Sequence, residues 1–97
     1  MRDEPGFSIG SEVWPGLAKV VEEAGELLQV AGKLVAVGGR TGHYDGSDLR
    51  ERLAEECGDL LAAVTFFAEE NGLGAAVQER ARQKGALFRR WHEGTPG

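Results

Sequence analysis

Two acidic clusters in the sequence combine the residue types and the spacing that a metal site needs. They are Glu22-Glu23-Ala24-Gly25-Glu26 and Glu55-Glu56-Cys57-Gly58-Asp59. Glu23 and Glu26 stand three residues apart, and so do Glu56 and Asp59. On a helix such residues are neighbours on one face, where like charges repel each other unless a cation lies between them. We therefore predict that Glu23, Glu26, Glu56 and Asp59 bind a divalent metal ion.

The ligand type also indicates which ion and which substrate to expect. Carboxylate oxygens suit Mg²⁺, with Mn²⁺ as a substitute, and bound Mg²⁺ is usually completed by waters and substrate phosphates. A water bound there can attack a phosphoryl group while the ion offsets the developing charge. Lys84 and Arg80 share one side of a later helix, and we predict that they clamp the phosphates.

Other readings of these residues compete with this one. Di-iron bundles use Glu-x-x-His pairs and zinc sites use Cys or His, whereas His43 and His92 stand outside both clusters. Cys57 has no neighbouring base in the sequence, and we interpret it as a buried helical thiol. Glu-x-x-Glu is also common on solvated helix faces, and the stem of Lys84 can pack while its ammonium reaches water.

Three helical segments must position these residues, and no alternating apolar run is long enough for a strand. The first should begin near Trp14, after a cap at Ser11, and end at Gly38-Gly39. Its apolar stripe consists of Leu17, Val20, Val21, Ala24, Leu27, Leu28, Ala31, Leu34 and Val35. The second face beside this stripe carries Lys19, Glu23, Glu26 and Val30.

The second helix should be capped by Ser47 and end at Asn71-Gly72, after a glycine-rich connector over 38–47 that we interpret as a plain linker or mobile lid. Its stripe consists of Leu49, Leu53, Cys57, Leu60, Val64 and Phe67. Glu56 falls inside that stripe and Asp59 at its edge, so the charge of Glu56 needs a partner. A third helix should run from Ala75 to Trp91.

Four aromatic rings can stack on a base, namely Trp14, Tyr44, Phe66 and Trp91. Core or interface packing is the more typical role of such rings.

Length and composition limit the class of protein. The chain has 97 residues, which predicts a single domain over 1–97 with flexible ends at 1–10 and 93–97. Its net charge of −5 argues against binding a nucleic-acid polymer, although a single nucleotide held through a metal ion remains compatible. The single cysteine, the absence of a signal-peptide pattern and the absence of a membrane-span pattern predict a cytoplasmic protein.

The double motif resembles that of the MazG-type all-α nucleoside triphosphate pyrophosphohydrolases, over roughly residues 14 to 91. The pattern of that family is Glu-Glu-x-x-Glu on one helix and Glu-x-x-Asp on the next, which Glu22 to Glu26 and Glu56 to Asp59 match. The resemblance implies helical protomers that pair as dimers, or as dimers of dimers, around a four-helix core. It implies hydrolysis of (deoxy)nucleoside triphosphates between the α and β phosphates, for house-cleaning or control of the nucleotide pool.

Site roles follow from the same resemblance. It implies Mg²⁺ ligands at Glu23, Glu26, Glu56 and Asp59 and catalytic roles for Glu22 and Lys84. It implies a substrate contact from Lys84, assisted by Arg80 or Arg89. We predict a further substrate contact from Trp14, as a ring that can stack on a base. Where some relatives have Asn after the later basic residue, this chain has Phe88. Two alternatives stay open: a relative that cleaves phosphoribosyl-ATP, and a non-catalytic helical dimer that binds nucleotides or proteins.

Overall fold

The computed structural model describes residues 13–39 and 48–94, which form three α-helices and no strand. These helices are α1 (Leu17–Ala36), α2 (Leu49–Glu70) and α3 (Gly74–His92). The prediction of an all-helical chain with three helices is confirmed. Two predicted helix caps, Ser11 and Ser47, lie outside the described residues. So does the connector that we interpreted as a linker or lid, except for Gly38 and Gly39 at its start. None of the three helices combines the length and apolar character needed to cross a membrane.

The start of α1 differs from the prediction. The helix begins at Leu17 and not near Trp14, because Gly16 takes a left-handed conformation with φ of 90° that interrupts the helical backbone. The predicted end is confirmed, since α1 stops at Ala36 and both Gly38 and Gly39 have positive φ. Glycine accepts this conformation without the steric penalty of a Cβ atom.

The ends of α2 and α3 follow the turn chemistry of the sequence. Asp48 is the N-cap of α2, one residue after the predicted Ser47, and its Oδ1 accepts hydrogen bonds from the backbone N–H groups of Arg50 and Glu51 at 3.0 and 3.3 Å. Helix α2 ends before Asn71 and Gly72, as predicted. Helix α3 begins one residue earlier and ends one residue later than predicted.

Helices α1 and α2 pack side by side in opposite directions, and the packed face of α1 overlaps the predicted stripe only in part. Five residues of that stripe are half-buried, namely Val20, Ala24, Leu27, Ala31 and Leu34. Val30 is fully buried and Glu23 is half-buried, although both were assigned to the second face. In contrast, Val21, Leu28 and Val35 from the predicted stripe are 66–81% exposed. The α1–α2 contact therefore uses one side of a broad apolar surface and leaves the other side uncovered.

A second correction concerns the stripe of α2. Cys57 is exposed, so the prediction of a buried thiol is wrong. The fully or nearly buried side chains of α2 are Leu49, Ala63 and Ala68. Ala63 lies beside Lys19 and Glu23 of α1, and Ala68 lies beside Gly74 and Val77 of α3, whereas Cys57 lies on the exposed side of α2.

Helix α3 stands apart from α1. It contacts the end of α2, and no Cα atom of its described residues lies within 8 Å of one in α1. None of its side chains is buried. The radius of gyration is 16.6 Å, whereas a compact domain of this length has about 12.5 Å. The described chain is therefore an open arrangement that measures 46 × 41 × 15 Å.

Candidate metal centre

Three carboxylates from the two packed helices converge on one point. Glu23 of α1 and Glu56 and Asp59 of α2 each place one carboxylate oxygen within 4.8 Å of the others. We call these residues the acidic triad. The spacing of three residues within α2 puts Glu56 and Asp59 on one face, and the packing of α1 brings Glu23 to that face. Glu26, the fourth predicted ligand, is exposed and does not belong to this group.

Two oxygens of the triad have no hydrogen-bond partner among the residues that the structure describes. Glu23 Oε1 and Glu56 Oε1 are both buried, and neither accepts a hydrogen bond from the described residues. A carboxylate can only accept hydrogen bonds, and a buried acceptor without a donor or cation is unfavourable. The two oxygens therefore have the surroundings that a hard cation would satisfy, and oxygen ligands of this kind fit Mg²⁺.

The electrostatics of the triad lead to the same conclusion. Desolvation raises the pKa of Glu23, and the charges of Glu26 and Asp59 raise it further. Desolvation likewise raises the pKa of Glu56, helped by Glu26 and Asp59 and opposed by Arg52. A side-chain hydrogen bond with Glu26 also raises the pKa of Glu23, so the Glu26 carboxylate lies beside the triad and adds negative charge to it. Without a cation the site favours proton uptake, and a divalent ion would remove that preference.

A cavity of about 390 Å³ opens beside the triad. Its lining consists of Lys19, Glu23, Asp59, Ala62, Ala63 and Phe66. Lys19 is a site residue that the sequence reasoning missed, although it stands four residues before Glu23 and so shares its face of α1. Its Nζ donates to Glu22 Oε1 at 2.6 Å, and this hydrogen bond raises the pKa of Lys19.

The far wall of the cavity is held by contacts with the segment before α1. A Cβ atom on Gly16 would lie 2.9 Å from Cδ2 of Phe66, so the glycine backbone packs directly against that ring. The Asn71 side chain donates to the carbonyl of Pro15 at 3.0 Å and to that of Phe67 at 2.7 Å. These contacts fix the segment 14–16 on the C-terminal end of α2 and position the Phe66 ring.

The other predicted site residues lie elsewhere. Glu22 is exposed and ion-paired with Lys19, and Trp14 packs against the Phe67 ring with centroids 6.3 Å apart. The three predicted basic residues are on α3, which does not contact α1. Lys84 lies over the Phe88 ring at 5.6 Å from its centroid, Arg80 donates to Gln83, and Arg89 is exposed. One described protomer therefore brings the carboxylates together but keeps these basic side chains apart from them.

The arrangement offers oxygen ligands for one divalent cation next to a cavity that holds one basic side chain and one aromatic ring. No protein-family model matches the chain, and comparisons with curated proteins and with solved structures find no match either.

Proposed function

We propose that the chain is a Mg²⁺-dependent pyrophosphohydrolase of the MazG type that converts (deoxy)nucleoside triphosphates to monophosphates and pyrophosphate. The observation that carries the proposal is the pair of buried oxygens of Glu23 and Glu56, which converge with Asp59 beside an open cavity. The resemblance of the two acidic motifs names the reaction. A role in house-cleaning or in control of the nucleotide pool is part of this proposal.

Each group of residues has a task in this reaction. Glu23, Glu56 and Asp59 would hold the ion, and Glu26 adds charge that strengthens the attraction for it. When bound, the ion supplies charge neutralisation at the phosphates and an activated water. The water oxygen would form a bond to the α phosphorus as the bond from that phosphorus to the bridging α–β oxygen breaks. The pyrophosphate would leave with that oxygen, and the water would lose its proton to a nearby base. Glu22 remains the predicted group that helps to activate the water.

Self-association is the second part of the proposal. Only four apolar side chains of the described residues are buried, and α1 leaves Val21, Leu28 and Val35 exposed at intervals of seven residues. A domain with so small a core gains stability when a second copy covers such a surface. A dimer, or a dimer of dimers, with a four-helix core would cover it. In that assembly α3 of a partner can bring Lys84, Arg80 and Arg89 near the acidic triad.

Release of pyrophosphate tests the activity. A panel of canonical and modified deoxynucleoside and ribonucleoside triphosphates, with phosphoribosyl-ATP included, is incubated with Mg²⁺ or Mn²⁺. We expect pyrophosphate from at least one triphosphate with the wild type, and its loss in Glu56→Gln. Glu55→Gln is the matched control, because Glu55 is exposed and lies outside the triad. No pyrophosphate across the panel would contradict the proposal.

Binding measurements separate the enzyme from a non-catalytic dimer. Isothermal titration of Mg²⁺ and a non-hydrolysable nucleotide into wild type and Glu56→Ala should show loss of metal binding in the variant with its helical content intact. Identical titrations would support a scaffold in which the carboxylates are merely solvated. Turnover of phosphoribosyl-ATP in preference to dNTPs would support the alternative enzyme.

A further inference from the structure

The lining of the cavity beside the triad is of two chemical kinds. Its charged lining residues are Glu23, Asp59 and Lys19, and its apolar lining residues are Ala62, Ala63 and Phe66. Its volume of about 390 Å³ falls in the range of about 300–1,000 Å³ that is typical of sites for small organic ligands. A metal ion alone needs only the triad. The cavity as a whole therefore has the size, and its apolar lining the character, to hold an organic group attached to whatever binds the ion.

Lys19 is placed to contact the anionic part of such a ligand. Its ammonium is the only cation among the described residues that line the cavity, and it lies one helical turn from Glu23. Its ion pair with Glu22 joins side chains that are 30% and 48% exposed, and exposed pairs of this kind are weak. An ammonium has three donors, so Lys19 can keep Glu22 and still donate to a phosphate oxygen.

Phe66 provides a preformed surface for the organic part. The ring is 38% exposed, which leaves a free area toward the cavity, while its other side rests on the backbone of Gly16. Ala62 and Ala63 beside it are small and leave room for a flat group. Because Gly16 and the Asn71 hydrogen bonds hold this wall in place, little ordering is needed when a ring packs on it.

We propose that this cavity is the site of the nucleotide itself, with Lys19 binding a phosphate oxygen and Phe66 packing on the base. This inference rests on the proposed function and names the residues that recognise its substrate. The phosphate contact that we predicted for basic residues of α3 is thereby assigned to Lys19. The base contact is assigned to Phe66, one of the four rings that we considered for stacking, in place of Trp14. The ligand class is a phosphate chain that completes the coordination of the ion, joined to a planar apolar group.

Two probes separate the two contacts. The α,β-methylene analogues of the four canonical dNTPs carry phosphates and a base, whereas inorganic tripolyphosphate carries phosphates alone. With Mg²⁺ present, we expect Lys19→Gln to weaken both kinds of probe at least about tenfold, as loss of a charged hydrogen bond does. We expect Phe66→Leu to weaken the analogue that binds best at least about fivefold, as loss of base stacking does, and to leave tripolyphosphate unchanged.

Conservative and distant variants control for damage to the fold. Lys19→Arg and Phe66→Tyr should retain binding, because the charge and the ring remain. Lys33→Gln changes an exposed lysine outside the cavity and should bind like the wild type. Mn²⁺ should bind Lys19→Gln and Phe66→Leu as it binds the wild type, which shows that the triad is intact.

The outcomes distinguish this inference from the proposed function. If the wild type binds the analogues and both Lys19→Gln and Phe66→Leu bind them equally well, the assignment of the cavity is wrong and the enzyme proposal stands. Equal weakening of tripolyphosphate and nucleotide by Phe66→Leu would also overturn the base contact. If the wild type binds Mn²⁺ but none of the probes and releases no pyrophosphate, the proposed function fails and this inference fails with it.

Discussion

Glu56 shows the conflict between burial and charge within one side chain. Its Oε1 is buried without a hydrogen-bond partner among the described residues, and its neighbours Asp59 and Glu26 are also acidic. The charge of Arg52 lowers the pKa of Glu56, but desolvation raises this pKa by more. The ionised carboxylate of Glu56 is therefore unfavourable without a cation, and a bound cation would stabilise it. Affinity for metal and low stability of the metal-free protein thus have the same cause.

Replacing Glu56 by Gln should therefore have opposite effects with and without metal. In EDTA we expect Glu56→Gln to melt at a higher temperature than the wild type, because a neutral amide is less costly to bury and does not repel Asp59 and Glu23. With Mn²⁺ the wild type should gain stability and the variant should not, since its affinity should fall at least about tenfold. Thermal unfolding by circular dichroism measures both effects.

Glu55→Gln is the matched control for that substitution. Glu55 is exposed on the same helix and outside the triad, so this variant should keep the full stabilisation by Mn²⁺. If Glu56→Gln destabilised the metal-free protein while Mn²⁺ still stabilised it, Glu56 would be a structural residue and not a ligand.

The raised pKa values of Glu23 and Glu56 predict how stability depends on pH. Both lie above the ordinary value of 4.5, so the folded metal-free chain holds more protons than the unfolded chain in the window just above that value. Stability in EDTA should then fall as the pH rises through this window. Stabilisation by Mg²⁺ should grow over the same interval, because the ion binds the deprotonated carboxylates.

Melting temperatures from about pH 5 to about pH 8, with EDTA and with saturating Mg²⁺, test this relation. The double variant Glu23→Gln, Glu56→Gln should lose most of the fall in EDTA. If the melting temperature of the wild type in EDTA rose across the window, these carboxyls would have lowered pKa values. Desolvation and like charges would then not dominate at the site.

At the scale of elements, the start of α1 and the end of α2 are held together by one close contact. Gly16 meets Phe66 there with a backbone conformation that a larger residue rarely adopts. We expect Gly16→Ala to lose about 2–5 kcal/mol of unfolding free energy, from about 1–2 kcal/mol of backbone strain and about 1–3 kcal/mol of overpacking against the ring. Urea denaturation measures this loss.

Gly38 supplies a control that isolates the strain. Its φ is also positive, at 69°, but a Cβ atom there would meet nothing within 4 Å. Gly38→Ala should therefore lose only about 1–2 kcal/mol. Equal losses for the two variants would mean that contact with Phe66 adds nothing and that the cavity wall is not held by Gly16.

The elements also show how far the sequence could predict the structure. Glycines and Asn71 predicted the ends of the helices because their backbone preferences are local. The spacing of Glu56 and Asp59 predicted that both face the same side, because they lie on a single helix. The packed face of α1 was only partly predicted, since apolar residues cover so much of that helix that their pattern does not say which side meets α2. The face is rotated toward Glu23 and Val30, so that Lys19 lines the cavity and Glu26 lies outside the triad.

At the scale of the whole molecule, charge is divided between the helices. Helix α3 carries five Arg and Lys residues and one Glu, a net charge of +4, whereas α2 carries two Arg and six acidic residues, a net charge of −4. Basic residues in the last turn of α3 suit the negative end of its dipole. The open shape keeps the two charge distributions apart within one protomer, and association of protomers can bring them together.

The uncovered side of α1 should determine the oligomeric state. Val21, Leu28 and Val35 are 66%, 70% and 81% exposed, and their spacing of seven residues puts them on one line along the helix. We expect light scattering to give at least a dimer for the wild type and a monomer for Leu28→Lys, because a buried ammonium without a partner is strongly unfavourable. Pyrophosphate release should fall together with the mass if α3 of the partner completes the site.

Gln29→Lys adds the same charge to the next residue, which is exposed and polar, and it should leave the mass unchanged. A wild type that stayed monomeric at all concentrations would contradict the proposed association. A Leu28→Lys variant that stayed dimeric would instead place the interface on another surface. One such surface is the side of α3 that carries Phe88 and Trp91, which are 54% and 56% exposed.

The triad is formed within a single chain, so Leu28→Lys should bind Mn²⁺ like the wild type. Loss of activity without loss of metal binding would assign the missing part of the site to the partner.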